Sequence, residues 1–144
     1  QNVHTYEYEP DCLKVSPGFK KLVALQIAHL LIKKFENGDR PLTDSQISAQ
    51  LEMPIRLVHN ILFDLVESGL VSEIKSQGDK EFAYQPARDI NSLTIQYVLE
   101  ALDQKGTDDI PVARNEEYQA LFDALKKFSE AMESSPANQL LKNI

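Results

Sequence analysis

The sequence predicts a mainly α chain with a small β-hairpin, and three observations between Pro41 and Pro86 carry that prediction. Thr43 stands three residues before Gln46, the S/T-x-x-E/Q spacing of a capping box that opens a helix. From Pro54 to about Ser68, apolar residues recur at helical spacing and run into Gly69, a helix stop. Val71–Lys75 and Glu81–Gln85 then read as strands joined by the polar loop Ser76–Lys80. Short helix, tight turn, second helix and hairpin, in that order, make a winged helix-turn-helix with additional N- and C-terminal helices.

Residues 1–15 read as an N-terminal arm. Tyr6-Glu7-Tyr8-Glu9-Pro10 alternates aromatic and acidic side chains, which suits an edge strand lying beside the hairpin as its third strand. Residues 16–106 hold the winged helix-turn-helix. Its first helix runs from about Pro17 to Asn37, with Gly38 as its stop. The middle of that helix, Leu22 to Ile32, is apolar nearly all the way round. One face must cover the helix-turn-helix, and the other meets a second surface of the domain, a dimer mate or a neighbouring domain.

Leu42 and Ile47 occupy the two positions of a hydrophobic staple around the capping box. Glu52-Met53 makes the turn, and Pro54 suits the first position of the next helix, where a missing N–H costs nothing. Ile55, Val58, Ile61, Leu62, Leu65 and Val66 form that helix's apolar face. After the connector Ala87–Ser92, a further helix reaches about Lys105, buries Ile95, Val98, Leu99 and Leu102, and stops at Gly106. Residues 107–144 begin as a polar linker. They continue as an amphipathic helix over about Glu116–Glu133, with Tyr118, Leu121, Phe122, Leu125, Phe128 and Met132 on one face. That face must pack on the domain or on a partner. Ser134-Ser135-Pro136 ends it, and a short tail carries Leu140, Leu141 and Ile144.

The 144 residues suit one domain with an arm, and 42% hydrophobic residues suffice for a buried core. A net charge of -7 and a pI near 4.9 argue against nucleic acid and anionic membranes as default partners. Cys12 is the only cysteine, so no internal disulfide forms, and no apolar run spans a bilayer. The histidines His4, His29 and His59 fall in three separate elements without metal-ligand spacing. Asp108-Asp109 and Glu116-Glu117 are adjacent pairs whose side chains do not face one another. No nucleophile set or phosphate-cradling glycine cluster is present. No catalytic residue, metal or cofactor is therefore expected.

The candidate interaction surface is the exposed face of the second helix: Arg56, His59, Asn60, Phe63 and Glu67, with Asp64 beside them. Arg56 and Asn60 are residue types that read guanine and adenine edges. A DNA reader also needs cations near phosphates, and this helix has one permanent cation against two carboxylates. Asp44 and Glu52 add negative charge. The wing sets Lys75 and Lys80 against Glu73, Asp79 and Glu81. Such a surface is expected to repel DNA, and Phe63 is then the natural anchor for a protein partner. Lys20, Lys21, Lys33 and Lys34 read as solubilising charge at the ends of the first helix.

The run from Leu42 to Leu70, the wing, and Tyr84–Ile90 leading into a helix resemble the winged-helix regulators that include IscR. Cluster-binding members use several cysteines after the third helix. This chain has none there, so the resemblance does not extend to an iron–sulfur cluster.

A second resemblance covers nearly the whole chain. KVSPGFKKLVALQIAHLLIKKFENGDRPLT, MPIRLVHNILFDLVESGLVSE, AYQPARDINSLTIQYVLEALD and SPANQLLKNI resemble the C-terminal region of bacterial, Bacteroidetes-type YihY/BrkB inner-membrane proteins, a family historically labelled ribonuclease BN. That resemblance implies a non-catalytic regulatory or protein-interaction domain of a multi-pass membrane protein, held at the cytoplasmic side of the inner membrane. It accords with a chain that begins at Gln1. The implied partner is the transmembrane part of the same protein, without direct insertion of this segment. A homodimer through the long helices remains open, and nucleic acid is not expected. The alternative is an IscR-like transcription regulator without a cluster, dimerising through its long helices and reading DNA with Arg56, His59 and Asn60. A remote alternative is the ribonuclease of the family label.

Overall fold

The computed structural model describes residues 14–75 and 81–144. The expectations for Tyr6–Pro10, Cys12 and the loop Ser76–Lys80 lie outside them. Among the described residues the fold is mainly helical, with five α-helices and a small three-stranded antiparallel sheet.

Helix α1 spans Pro17–Glu36. Ser16 caps it by accepting from the Phe19 N–H at 3.2 Å, Pro17 fits its first position, and Lys33 and Lys34 complement its C-terminal dipole. Its all-round apolar middle resolves into one deeply buried face. Val23, Ala24, Ile27, Ala28, Leu31 and Ile32 lie at the centre of the core, whereas Leu22 on the opposite side is exposed.

Strand β1, Leu42–Thr43, leads directly into helix α2, Asp44–Leu51. The capping box forms as the sequence predicts: Gln46 N–H donates to Thr43 Oγ1 at 3.2 Å, and Thr43 N–H donates to Gln46 Oε1 at 2.9 Å. Glu52 closes α2 in the left-handed region at φ 53, and the Ser48 hydroxyl donates to the Met53 carbonyl at 2.6 Å to fix the turn. Helix α3, Ile55–Glu67, follows. Pro54 is its N-cap rather than its first residue, because an extended ψ of 135 turns the chain out of Met53 before the helix starts. Leu57, Val58, Ile61, Leu62 and Leu65 are buried, and Gly69 leaves the helix at φ +75.

Strands β2, Val71–Lys75, and β3, Phe82–Pro86, form the wing in the register Val71↔Pro86 to Lys75↔Phe82. The third strand is β1, which pairs Leu42↔Tyr84 and Thr43↔Ala83, so β3 is central. Among the described residues the third strand is thus supplied by Leu42 and Thr43, just ahead of α2.

Helix α4 spans Ile95–Asp103 and buries Val98 and Gln96. Its first-turn amides are satisfied largely by the end of the chain. Ile95 N–H donates to the Gln139 carbonyl at 3.0 Å, and Gln96 N–H to Asn138 Oδ1 at 2.7 Å. Tyr97 N–H donates to its own cap, Thr94 Oγ1, at 3.0 Å. The tail ends in a 3-10 turn, Leu141–Asn143, that sets Leu141 into the core beside α1, where Lys33 Nζ donates to the Lys142 carbonyl at 2.6 Å.

Helix α5, Glu116–Ser134, leaves from the exposed linker 104–115 and buries none of its residues. Leu121, Leu125 and Phe128 are each 67% exposed. The Ser129 hydroxyl ties α5 to Gln96 Nε2 at 2.9 Å and to Glu100 Oε1 at 3.0 Å.

Candidate nucleic-acid interface

The helix-turn-helix presents α3 because its apolar stripe is consumed by α1 and the sheet, leaving the opposite face outward. Arg56 stands exposed in the first turn, and no carboxylate among the described residues lies within ion-pair distance of it. Asn60, one turn on, is half-buried and makes no side-chain hydrogen bond among the described residues. Phe63 is 61% exposed, and Glu67 stands exposed at the end of the helix.

His59 is committed elsewhere. Its Nε2 meets Asp44 Oδ2 at 2.5 Å, which braces α3 against the first turn of α2. The other oxygen of Asp44 accepts from the Ser45 N–H at 2.7 Å. Asp44 therefore spends its charge inside the helix-turn-helix, at a helix N-terminus where a carboxylate is favourable.

Asp64 is likewise paired. Lys20 Nζ from α1 lies 3.1 Å from Oδ2, and Lys105 Nζ, just beyond α4, lies 3.4 Å from Oδ1. Lys21 meets Asp103 at 3.4 Å on the same cleft. Lys105 also stands over the Phe63 ring, 5.5 Å from its centroid, a cation–π contact. The repulsive face expected from the sequence is thus offset by three lysines that α1 and α4 bring to the flank of α3. The sequence reading took Lys20 and Lys21 as solubilising charge and gave Lys105 no role. Nothing local in the chain signals their meeting, which only the packing of α1, α3 and α4 creates.

On the wing, Tyr84 is buried, and its hydroxyl donates to Glu73 Oε2 at 3.3 Å across the β2–β3 pair. Burial first, then the Glu73 and Asp44 carboxylates, push its phenol up to about 12. In α1, His29 has an enclosed Nε2 without a hydrogen-bond partner; burial, then nearby Lys33, hold its pKa below the ordinary histidine value. No group of three His, Cys, Asp or Glu able to hold a metal is found among the described residues.

No family model matches the chain, and no curated protein matches it. Several solved structures are similar to it. IscR of T. potens is 16% identical, with 83% of this chain and 80% of that one covered at a TM-score of 0.55. CymR, the global cysteine regulator of B. subtilis, is 20% identical, with 81% and 89% covered at 0.52. These likenesses correct the YihY/BrkB resemblance, because they span most of this chain together with 80% of IscR and 89% of CymR. The membrane-protein domain, its transmembrane partner, the inner-membrane location and the ribonuclease label rested on that resemblance and fall with it. No helix of the described residues is long and apolar enough to cross a membrane. The expectation that nucleic acid is not a partner is corrected by the same likenesses; it had also counted Asp44 and Asp64 as free charges, and both are paired. At these identities the likeness establishes the fold: the chain is a winged helix-turn-helix of the architecture seen in IscR and CymR.

Proposed function

We propose that the chain is a non-enzymatic, DNA-binding transcription regulator that reads the major groove with Arg56 and Asn60 of α3 and acts as a homodimer through α5. The observation that carries this reading is the charge arrangement around α3. Its outward face keeps Arg56 and Asn60 uncommitted among the described residues, while Asp64 is ion-paired with Lys20 and Lys105 and Asp44 is hydrogen-bonded to His59. Arg and Asn are the residue types that pair bidentately with guanine and adenine edges. The likeness to CymR, the global cysteine regulator of B. subtilis, supports the same reading. The wholly exposed apolar stripe of α5 supplies the self-association that a two-fold DNA site requires. Cys12 being the only cysteine, the proposal includes no cysteine-ligated iron–sulfur cluster.

Fluorescence anisotropy against mixed-sequence duplex DNA at low salt tests the reading, because weak screening favours any phosphate attraction. Binding in the micromolar range, weakened by Arg56→Ala, is the expected result. No binding at tens of micromolar protein, where nonspecific DNA binders register, would overturn it.

A further inference from the structure

Lys20 and Lys21 on the second turn of α1 and Lys105 beyond α4 line one cleft against α3. All three remain partly exposed, so an incoming anion can reach them. The cleft is unevenly charged: three ammonium groups face two carboxylates, Asp64 and Asp103. Asp64 divides its two oxygens between Lys20 and Lys105, which leaves excess positive charge at the site. Each ammonium has three N–H donors and keeps solvent contact, so a phosphate can approach either lysine while Asp64 is still bound, before displacing it.

The cleft also flanks the outward stripe of α3. Lys105 covers Phe63, which lies on the same stripe as Arg56 and Asn60. Phe63 is seven residues along α3 from Arg56, about 10 Å by helical rise, so the lysines lie about two turns from Arg56. That separation is comparable with the roughly 12 Å width of a B-DNA major groove, so a backbone bordering bases read by Arg56 and Asn60 would be within the lysines' range.

We propose that Lys20, Lys21 and Lys105 form a DNA phosphate clamp beside α3, with Asp64 holding Lys20 and Lys105 in place until a phosphate displaces it. The proposal rests on the DNA-binding reading above. It assigns a binding role to side chains from α1 and α4, outside the helix-turn-helix, and an exchange role to an acid on the recognition helix itself.

The test is a salt titration of duplex binding for the full chain, wild type against Lys20→Gln/Lys105→Gln, Arg56→Ala and Asp64→Asn, with circular dichroism confirming that each variant is folded. Each lost phosphate contact removes about 0.9 from the slope of log affinity against log salt. The double lysine variant should therefore bind more weakly at 50 mM salt and lose about tenfold less of its affinity than wild type between 50 and 200 mM. Arg56→Ala should weaken binding with the slope nearly kept, because a base contact releases few counterions. Asp64→Asn should bind more tightly than wild type. A double variant with wild-type affinity and slope, or an Asp64→Asn variant that binds no better, would sink the clamp while DNA binding stood. A wild-type chain that binds no DNA would overturn both proposals.

Discussion

Helices α3 and α5 carry the same kind of sequence and meet opposite fates. Each is amphipathic, with large apolar side chains on one face and charged residues on the other. In α3 that face is closed by α1 and the sheet, and five residues are buried. In α5 no residue is buried, and Leu121, Phe122, Leu125, Phe128 and Met132 line a helix joined to the domain through Ser129 and the tail that follows it. Hydrophobic periodicity states that a face will be covered; it does not state by what. For α3 the cover lies in the same chain. For α5 no cover lies among the described residues, and the proposed cover is a second copy of the chain.

Substitutions at matched positions break that comparison most directly. Leu65→Ala in α3 opens a cavity in a closed core, and a loss of about 3 kcal/mol in urea denaturation is expected. A loss well under 1 kcal/mol would mean that the α3 face is not packed as described. The paired change Leu125→Ala/Phe128→Ala in α5 should act on association instead. Truncating central interface side chains costs about 2 kcal/mol or more each. Sedimentation should then show a dimer for the wild type and a monomer with unchanged circular dichroism for the variant. A wild-type monomer at high concentration would remove α5 from the proposed assembly.

The smallest effect concerns the buried side of α1. His29 is held neutral in the folded chain by burial and by Lys33, so its folded pKa lies below the unfolded value of about 6.5. The unfolded chain then binds the proton more readily. Stability is complete above about pH 6.5 and declines as the pH falls below it. Urea midpoints at pH 7.5 and 5.5 should differ less for His29→Gln than for the wild type, and equal differences would remove His29 as a source of acid sensitivity.

The parts of the fold legible in the sequence are those set by neighbours a few residues apart. Thr43 and Gln46 are close enough that their reciprocal hydrogen bonds follow from spacing, and so did the start of α2. Gly69 and the alternation around the wing worked in the same way. Strand β1 was not legible, because two residues carry no periodicity and Leu42–Thr43 becomes a strand only when Tyr84 and Ala83 arrive opposite. The burial of Gln96 was equally hidden, since the partners that make it tolerable, Glu100 and Ser129, come from α4 and from a helix across the linker. Leu141 read as part of a loose tail and is a core residue.

The candidate interface divides along the same line. Arg56, His59, Asn60, Phe63 and Glu67 are grouped from the sequence because 3.6 residues per turn dictates which side chains share a side. Their charge environment was misjudged. Asp64 sits near no lysine in the chain, yet folding sets Lys20 and Lys105 on its two oxygens, and Asp44 on His59. By itself, the sequence determined where the helices lie, the capping box of α2 and the apolar stripe of α3, since these follow from local hydrogen bonding and helical periodicity. Only the tertiary structure decided which charges neutralise one another and which apolar face is left uncovered. Coulombic and packing energies depend on distance in space, and that distance exists only once α1, α3, α4 and the tail have come together.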